Sequence, residues 1–157
     1  MPGAARIATG SDRDAFLALS SELTGFDEVE LAGTGVADRH LAWLCSGFPD
    51  VVPELLDAWR GIAGEPPERR EQALRSAILA DPKLGPFARS VTLLWYTANW
   101  NQLDESWSET YGGHAADQDQ AFGYAYPEGL MWKAAGTHPM GAKPTGFGTW
   151  AFAPPEV

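Results

Sequence analysis

The hydrophobic periodicity and the Gly and Pro content of the chain change at Trp100, and this change limits the folds that the chain can adopt. Before Trp100, apolar residues recur at the three- and four-residue spacing of amphipathic helices. After it, eight glycines lie between Gly112 and Gly148, and five prolines follow from Pro127 onward. The segment from Trp95 to the end still holds five of the seven Trp, all four Tyr and three of the seven Phe. Because large aromatic side chains are usually buried, aromatics on irregular backbone require something that covers them.

The first hundred residues predict an all-α fold, a compact bundle of about five helices. Ser11 is an N-cap residue with Asp12 and Asp14 behind it in the first turn, and Gly25 ends that helix. Pro53 is compatible with a helix only if it lies in the first turn. The predicted helices cover residues 11–24, 36–46, 50–62, 67–79 and 86–100, with a further short one at 27–31. Helices of these lengths joined by short turns are typical of a bundle.

Residues 101–157 predict a long, mostly irregular arm that is rich in aromatic, Gly and Pro residues. One short helix is expected at 127–135. A loop segment of this length is uncommon inside a self-contained domain, and its aromatic content argues against disorder. We therefore expect a single domain, 1–157, in which a helical bundle (11–100) carries an extended partner-binding arm (101–157). The arm is expected to pack partly on its own bundle and partly on another protein.

The aromatic residues of the arm are candidate contact residues, because Trp and Tyr dominate the energetics of protein–protein interfaces. Trp95 lies on a helical stripe and is expected in the core, whereas the aromatics that follow could pack on the bundle or on a partner. The candidate interface residues are Tyr96, Trp100, Trp107, Tyr111, Tyr124, Tyr126, Trp132 and Trp150. The alternative is a stand-alone carbohydrate-binding module in which Trp107, Trp132 and Trp150 stack on sugar rings.

Charge and cysteine content exclude several classes of function. The net charge of −10 argues against nucleic acid and against an anionic membrane surface, because both require a cationic footprint. Six acids and no Lys or Arg lie between Asn99 and Met131, and such a run is usually a solvated face. Cys45 is the only cysteine and lies among apolar helical residues, so we expect a buried, inert thiol and no disulfide within the chain. No apolar run approaches the length of a transmembrane helix, so no direct membrane insertion is expected.

Few residues show a pattern typical of catalysis or metal binding. His114, Asp117 and Asp119 form a loosely calcium-like loop, but the regular ligand spacing of an EF-hand is missing, which favours a solvated polar loop. The sequence has neither a GxSxG nor an HExxH motif. His138 lies on a loop from which it could reach a neighbouring active site, whereas His40 is expected at the surface or in a hydrogen bond. A small hydrolase or metalloenzyme built on His114, His138 and nearby acids is a third hypothesis.

Several short motifs, dispersed over roughly residues 14–154, resemble one protein family. In chain order they are FLALS at 16–20 with LTG at 23–25, LWYT at 94–97, the stretch 124–131 followed by Trp132, and GTW at 148–150 before Ala153-Pro154. This order resembles the small (gamma) subunit of bacterial FAD-dependent sugar and polyol dehydrogenase complexes of the sorbitol, fructose and glucose dehydrogenase type.

The resemblance implies a helical subunit without a cofactor or a catalytic residue of its own. In that family the small subunit binds a large FAD-containing subunit of the glucose–methanol–choline oxidoreductase type and helps it to fold. The large subunit transfers hydride from a sugar hydroxyl to FAD, and electrons pass on to an iron–sulfur cluster, a cytochrome c subunit or an external acceptor. Where the small subunit bears a twin-arginine signal, it takes its partner to the periplasm. No such signal stands in MPGAARIATG, so the expected location is the periplasm by resemblance and the cytoplasm if the chain is untrimmed.

Overall fold

A computed structural model of the chain describes residues 9–140. The described helices are α1 (Gly10–Thr24), α2 (Glu28–Gly33), α3 (Ala37–Gly47), α4 (Val51–Ile62), α5 (Pro67–Leu74), α6 (Leu84–Thr97), α7 (Glu105–Tyr111) and α8 (Leu130–Ala134). A π-helical turn (Arg75–Leu79) continues α5, and a 3₁₀ turn (Tyr126–Glu128) precedes α8. Two short strands, β1 (Asn99–Trp100) and β2 (Gln120–Ala121), pair antiparallel. The prediction of a largely all-α fold is confirmed for the described part of the chain.

Side-chain hydrogen bonds at the N-termini determine where the first two helices begin. The cap of α1 is Thr9 rather than Ser11, because the Thr9 hydroxyl accepts from the Asp12 backbone N–H while the Asp12 carboxylate accepts from the Thr9 N–H. Gly25 ends α1 in the left-handed conformation, with a φ of 79°. Asp27 forms the same reciprocal capping arrangement with Glu30 at the start of α2.

The helix predicted at 67–79 is confirmed in its bounds, but its last five residues form a π-helical turn rather than α-helix. The backbone N–H of Ala80 donates to the Arg75 carbonyl at 2.9 Å, which closes a five-residue step. The Asp81 carboxylate then accepts from the backbone N–H groups of Lys83 and Leu84 at 2.8 and 2.7 Å. This cap starts α6 at Leu84, two residues before the predicted proline.

The helix predicted at 86–100 is also too long at its C-terminal end. Ala98 adopts a left-handed conformation with a φ of 57°, and its N–H donates to the Leu94 carbonyl at 3.0 Å, which ends α6 at Thr97. Asn99 and Trp100 then pair with Ala121 and Gln120. The helix predicted at 127–135 is likewise divided, because Gly129 has extended backbone (ψ 127°) between the 3₁₀ turn and α8. Helix α7 was not predicted.

One hydrophobic core joins the helices and the first part of the arm. Phe16, Leu19, Phe48, Phe87 and Trp95 are buried at its centre. The same core includes residues that follow the bundle in sequence, namely Trp100, Leu103, Trp107, Phe122, Ala125 and Leu130. Trp107 and Phe122 of the arm are therefore covered by the chain itself, whereas Tyr111, Tyr124 and Tyr126 are half-buried.

The sequence also led to expectations about Cys45 and about the length of apolar helices. Cys45 is half-buried rather than fully buried, and it packs against the edge of the hydrophobic core. None of the helices within residues 9–140 has both the length and the apolarity that are needed to cross a bilayer.

Candidate functional site

A groove of about 410 Å³ lies where α8 and the loop after it meet α2. We call it the aromatic groove and define it by Phe26, Glu30, Glu128, Trp132, Lys133 and His138, all of which line it. Two of these, Trp132 and His138, were predicted as site residues from the sequence. Gly129 and Leu130 form part of its floor.

Hydrogen bonds fix the orientation of Trp132 in this groove. Its indole N–H donates to the Tyr126 carbonyl at 2.8 Å, and the two rings meet edge to face with centroids 5.3 Å apart. The Tyr126 hydroxyl donates in turn to the Met140 carbonyl at 2.7 Å. Both aromatic side chains remain only half-buried. They therefore form a preorganised surface, which reduces the entropy lost on binding.

Tyr96 connects this surface to the bundle. Its hydroxyl donates to the Thr24 carbonyl at 2.7 Å, and its ring meets Phe26 edge to face at 6.1 Å. The Tyr96 carbonyl lies so close to Gly129 that a Cβ built there would be 2.8 Å from the oxygen. Tyr96 therefore supports the aromatic groove from behind and is itself half-buried.

We expect Gly129→Ala to lower the free energy of unfolding by about 1–3 kcal/mol, the usual cost of forcing atoms into a packed site. The new methyl would meet a backbone oxygen, which cannot move aside as a side-chain tip can. Gly123→Ala is the matched control, since nothing lies within 4 Å of a Cβ at that position. Chemical denaturation of both variants checks the expectation, and equal stabilities would contradict it.

A buried histidine joins the arm to α3. His40 is 1 % exposed, and Tyr124 forms a hydrogen bond with its Nδ1 at 3.3 Å. Its ring also meets Trp95 and Phe122 edge to face. Burial, with a smaller effect of the Arg39 charge, lowers the pKa of His40 to about 4. Of the two predicted places for His40, the hydrogen bond is confirmed and the surface position is wrong.

Arg39 covers the outer side of this cluster. Its guanidinium carbon lies 3.5 Å from the centroid of the Tyr124 ring, a cation–π contact. Burial raises the pKa of Tyr124, against a smaller opposing effect of the Arg39 charge. Tyr124 is therefore neutral and half-buried, and it contacts both His40 and Arg39.

We expect the free energy of unfolding to decrease as the pH is lowered, because His40 resists protonation in the folded chain. In the unfolded chain the pKa is 6.5 and in the folded chain about 4, so the unfolded state binds the extra proton between these values. The free energy of unfolding should therefore drop by roughly 3 kcal/mol as the pH falls through this window. Denaturation curves of wild type and His40→Gln test this, because the variant should lose that part of the slope. His138→Gln, which changes an exposed histidine, should keep it.

Trp100 and Trp107 were predicted to contact a partner, but the chain buries both itself. They are 0 % and 4 % exposed. The Trp100 indole donates to the Asp117 carboxylate at 3.0 Å, and the Trp107 indole donates to the Lys83 carbonyl at 2.9 Å. Neither face is available to a partner or to a sugar ring in this conformation. Tyr111 packs half-buried on Trp107, with centroids 5.6 Å apart, and Trp150 lies outside the described residues.

The calcium-like loop is organised around a buried carboxylate rather than solvated throughout. Asp117 is 4 % exposed, and its Oδ1 accepts from the Trp100 indole and from the Leu103 backbone N–H. Asp119 accepts from the Gln102 backbone N–H at 2.8 Å. The His114 ring packs on Phe48 with centroids 5.0 Å apart. Within residues 9–140, no three His, Cys, Asp or Glu side chains are grouped so that they could hold a metal ion.

A second groove, which the sequence did not predict, lies between α1, α5, the π-helical turn and α6. Its volume is about 760 Å³ and its apolar lining includes Leu23, Leu74, Leu79 and Leu93. Leu93 is 43 % exposed. The only sequence signal for this groove is the presence of Leu93 on the outer side of an otherwise regular amphipathic helix.

No family model, curated protein or solved structure matches this chain.

Proposed function

We propose that the chain is a non-catalytic small subunit that binds and stabilises the FAD-containing large subunit of a sugar or polyol dehydrogenase complex. The proposed partner is of the glucose–methanol–choline oxidoreductase type and performs the hydride transfer to its own FAD. A cytochrome c subunit can complete the assembly, and the proposed location is the periplasm. The identity of the partner rests on the motif resemblance of the sequence.

The observation that carries the proposal is the aromatic groove. Its Trp132 and the adjoining Tyr126 are half-buried aromatics that are fixed by hydrogen bonds on short, ordered elements. Rigid Trp and Tyr side chains of this kind are typical hot spots of protein–protein interfaces. Trp100 and Trp107 are buried, whereas the other described residues of the proposed interface are half-buried, namely Tyr96, Tyr111, Tyr124, Tyr126 and Trp132. His138 lines the groove beside Trp132, and Trp150 lies outside the described residues.

The motifs that carry the resemblance also contribute residues that support this surface. The LWYT motif provides Trp95, which packs on His40, and Tyr96, which supports Gly129. The stretch 124–131 provides the 3₁₀ turn and the start of α8. These residues therefore position the surface that we propose binds the partner.

Affinity purification of the tagged full chain from its native host tests the proposal. We expect a second subunit to co-purify in equal amounts and to show the absorbance spectrum of bound flavin. Recovery of the chain alone, or with partners that carry no flavin, would contradict the proposed function.

A further inference from the structure

The second groove has the composition of a site for a small apolar ligand. Its apolar lining includes Leu23 of α1, Leu74 of α5, Leu79 of the π-helical turn and Leu93 of α6. Leu74 is buried, Leu23 and Leu79 are half-buried, and Leu93 is exposed. The volume of about 760 Å³ lies within the range of roughly 300–1,000 Å³ that is usual for small-molecule sites. Such sites combine apolar walls with a few polar groups that orient the ligand.

One of the charges that line this groove has no opposite charge beside it. Of the two lining carboxylates, Glu22 pairs with Arg70 at 2.9 Å and Glu71 pairs with Arg75 at 2.8 Å. Arg89 also lines the groove, and it forms no ion pair with any residue of the described range 9–140. The uncompensated charge of the lining is therefore positive.

An arginine without an ion pair is an exception in this acidic chain. The sequence has 21 Asp and Glu against 11 Lys and Arg, so carboxylates are in excess. Every other Lys or Arg between residues 9 and 140 forms an ion pair, except Arg39, which lies over the Tyr124 ring. Arg89 thus has the capacity to bind an anion that the chain itself does not supply.

The backbone fixes the Arg89 guanidinium at the edge of the second groove. Its Nη2 donates to the Leu79 carbonyl at 2.9 Å. Gly85 permits this contact, since a Cβ there would lie 2.5 Å from the Leu79 oxygen and 3.3 Å from Arg89 Nη1. The bond to Leu79 uses one of five N–H donors of the guanidinium, so the others can bind a ligand. Leu93 follows one helical turn later on the same face of α6, about 6 Å along the axis.

We propose that the second groove binds a medium-chain fatty acid, with its carboxylate on Arg89 and its alkyl chain over the leucines. A guanidinium binds a carboxylate through strong, charge-assisted hydrogen bonds. The alkyl chain suits the leucines because it brings no polar backbone groups that an apolar lining would leave without hydrogen bonds. This inference involves neither the aromatic groove nor the proposed flavoprotein, so it stands or fails independently of the proposed function.

Titration of the full chain with sodium octanoate tests the site, and 1-octanol is the uncharged control with an alkyl chain of the same length. We expect saturable shifts of the Leu93 methyl signals in NMR, assigned with Leu93→Ala, and roughly tenfold weaker binding of 1-octanol. Equal affinities of the two ligands, or no shift of these signals with octanoate, would overturn the inference. Shifts that depend on protein concentration alone would show that a second copy covers the groove, which would also overturn it.

Matched arginine variants separate the Arg89 contact from a general effect of charge. We expect Arg89→Gln to weaken octanoate binding roughly tenfold and to leave 1-octanol binding unchanged. Arg89→Lys keeps the charge and should bind octanoate more tightly than Arg89→Gln does. Arg69→Gln removes an exposed arginine of α5 that does not line the groove, so it should bind octanoate as wild type does. Thermal melting verifies that the variants are folded, and equal losses in Arg89→Gln and Arg69→Gln would overturn the site.

Discussion

Replacing Trp100 by alanine should lower the free energy of unfolding by about 3–5 kcal/mol, the usual cost of truncating a large buried aromatic residue. The side chain is 0 % exposed and contacts Trp43, Phe48 and Phe87. Its removal would leave a cavity at the point where the arm enters the core. It would also remove one donor from the buried Asp117 carboxylate.

Two comparison variants separate the contributions of Trp100. Trp100→Phe keeps much of the apolar contact but loses the indole N–H, so it should cost less than alanine while still affecting Asp117. Leu93→Ala truncates an exposed residue of the second groove and should cost less than about 1 kcal/mol. Urea denaturation of all three variants provides the measurement. A loss below about 1 kcal/mol for Trp100→Ala would contradict the packing of the arm into the core.

Replacing Trp132 by alanine should weaken binding to the proposed flavoprotein partner by about 30-fold or more, which corresponds to the roughly 2 kcal/mol of a hot-spot residue. The reason is that Trp132 is fixed by its hydrogen bond to the Tyr126 carbonyl and lines the aromatic groove. Titration of the purified flavoprotein with wild type and variant, followed by calorimetry, measures the effect.

Leu93→Ala is the matched control for this second prediction, since it removes apolar surface from the other groove. It should bind the flavoprotein as wild type does. If Trp132→Ala binds normally while Leu93→Ala loses affinity, the partner surface lies at the second groove instead. If both bind normally, neither residue is a hot spot.

The helices were predictable because their signals are local. Apolar spacing located α1, α3 and α4 to within one residue at either end, and Gly25 marked the end of α1. The errors in the later helices come from tertiary and capping effects. The π-helical turn after Leu74 and the left-handed Ala98 have no counterpart in hydrophobic periodicity. An alanine in that conformation is rare enough that no sequence rule would have placed it there.

The site residues were harder to predict because their partners are distant in sequence. Tyr124 forms a hydrogen bond with His40, which lies 84 residues earlier in the sequence. Trp107 donates to the carbonyl of Lys83, which lies 24 residues earlier. The sequence showed that the aromatics of the arm needed cover, but it could not show which ones the bundle would cover. Trp132 and His138 were predicted as site residues and do lie together in one groove. The carboxylates Glu30 and Glu128, which define the charge of that groove, were not predicted.

The most direct test of the central claim is the yield of FAD-loaded large subunit when it is expressed with and without this chain. We predict that soluble, flavin-containing large subunit is recovered only on co-expression, and that it elutes together with the chain in size-exclusion chromatography. Equal yields in both cultures, with the two proteins eluting separately, would contradict the account.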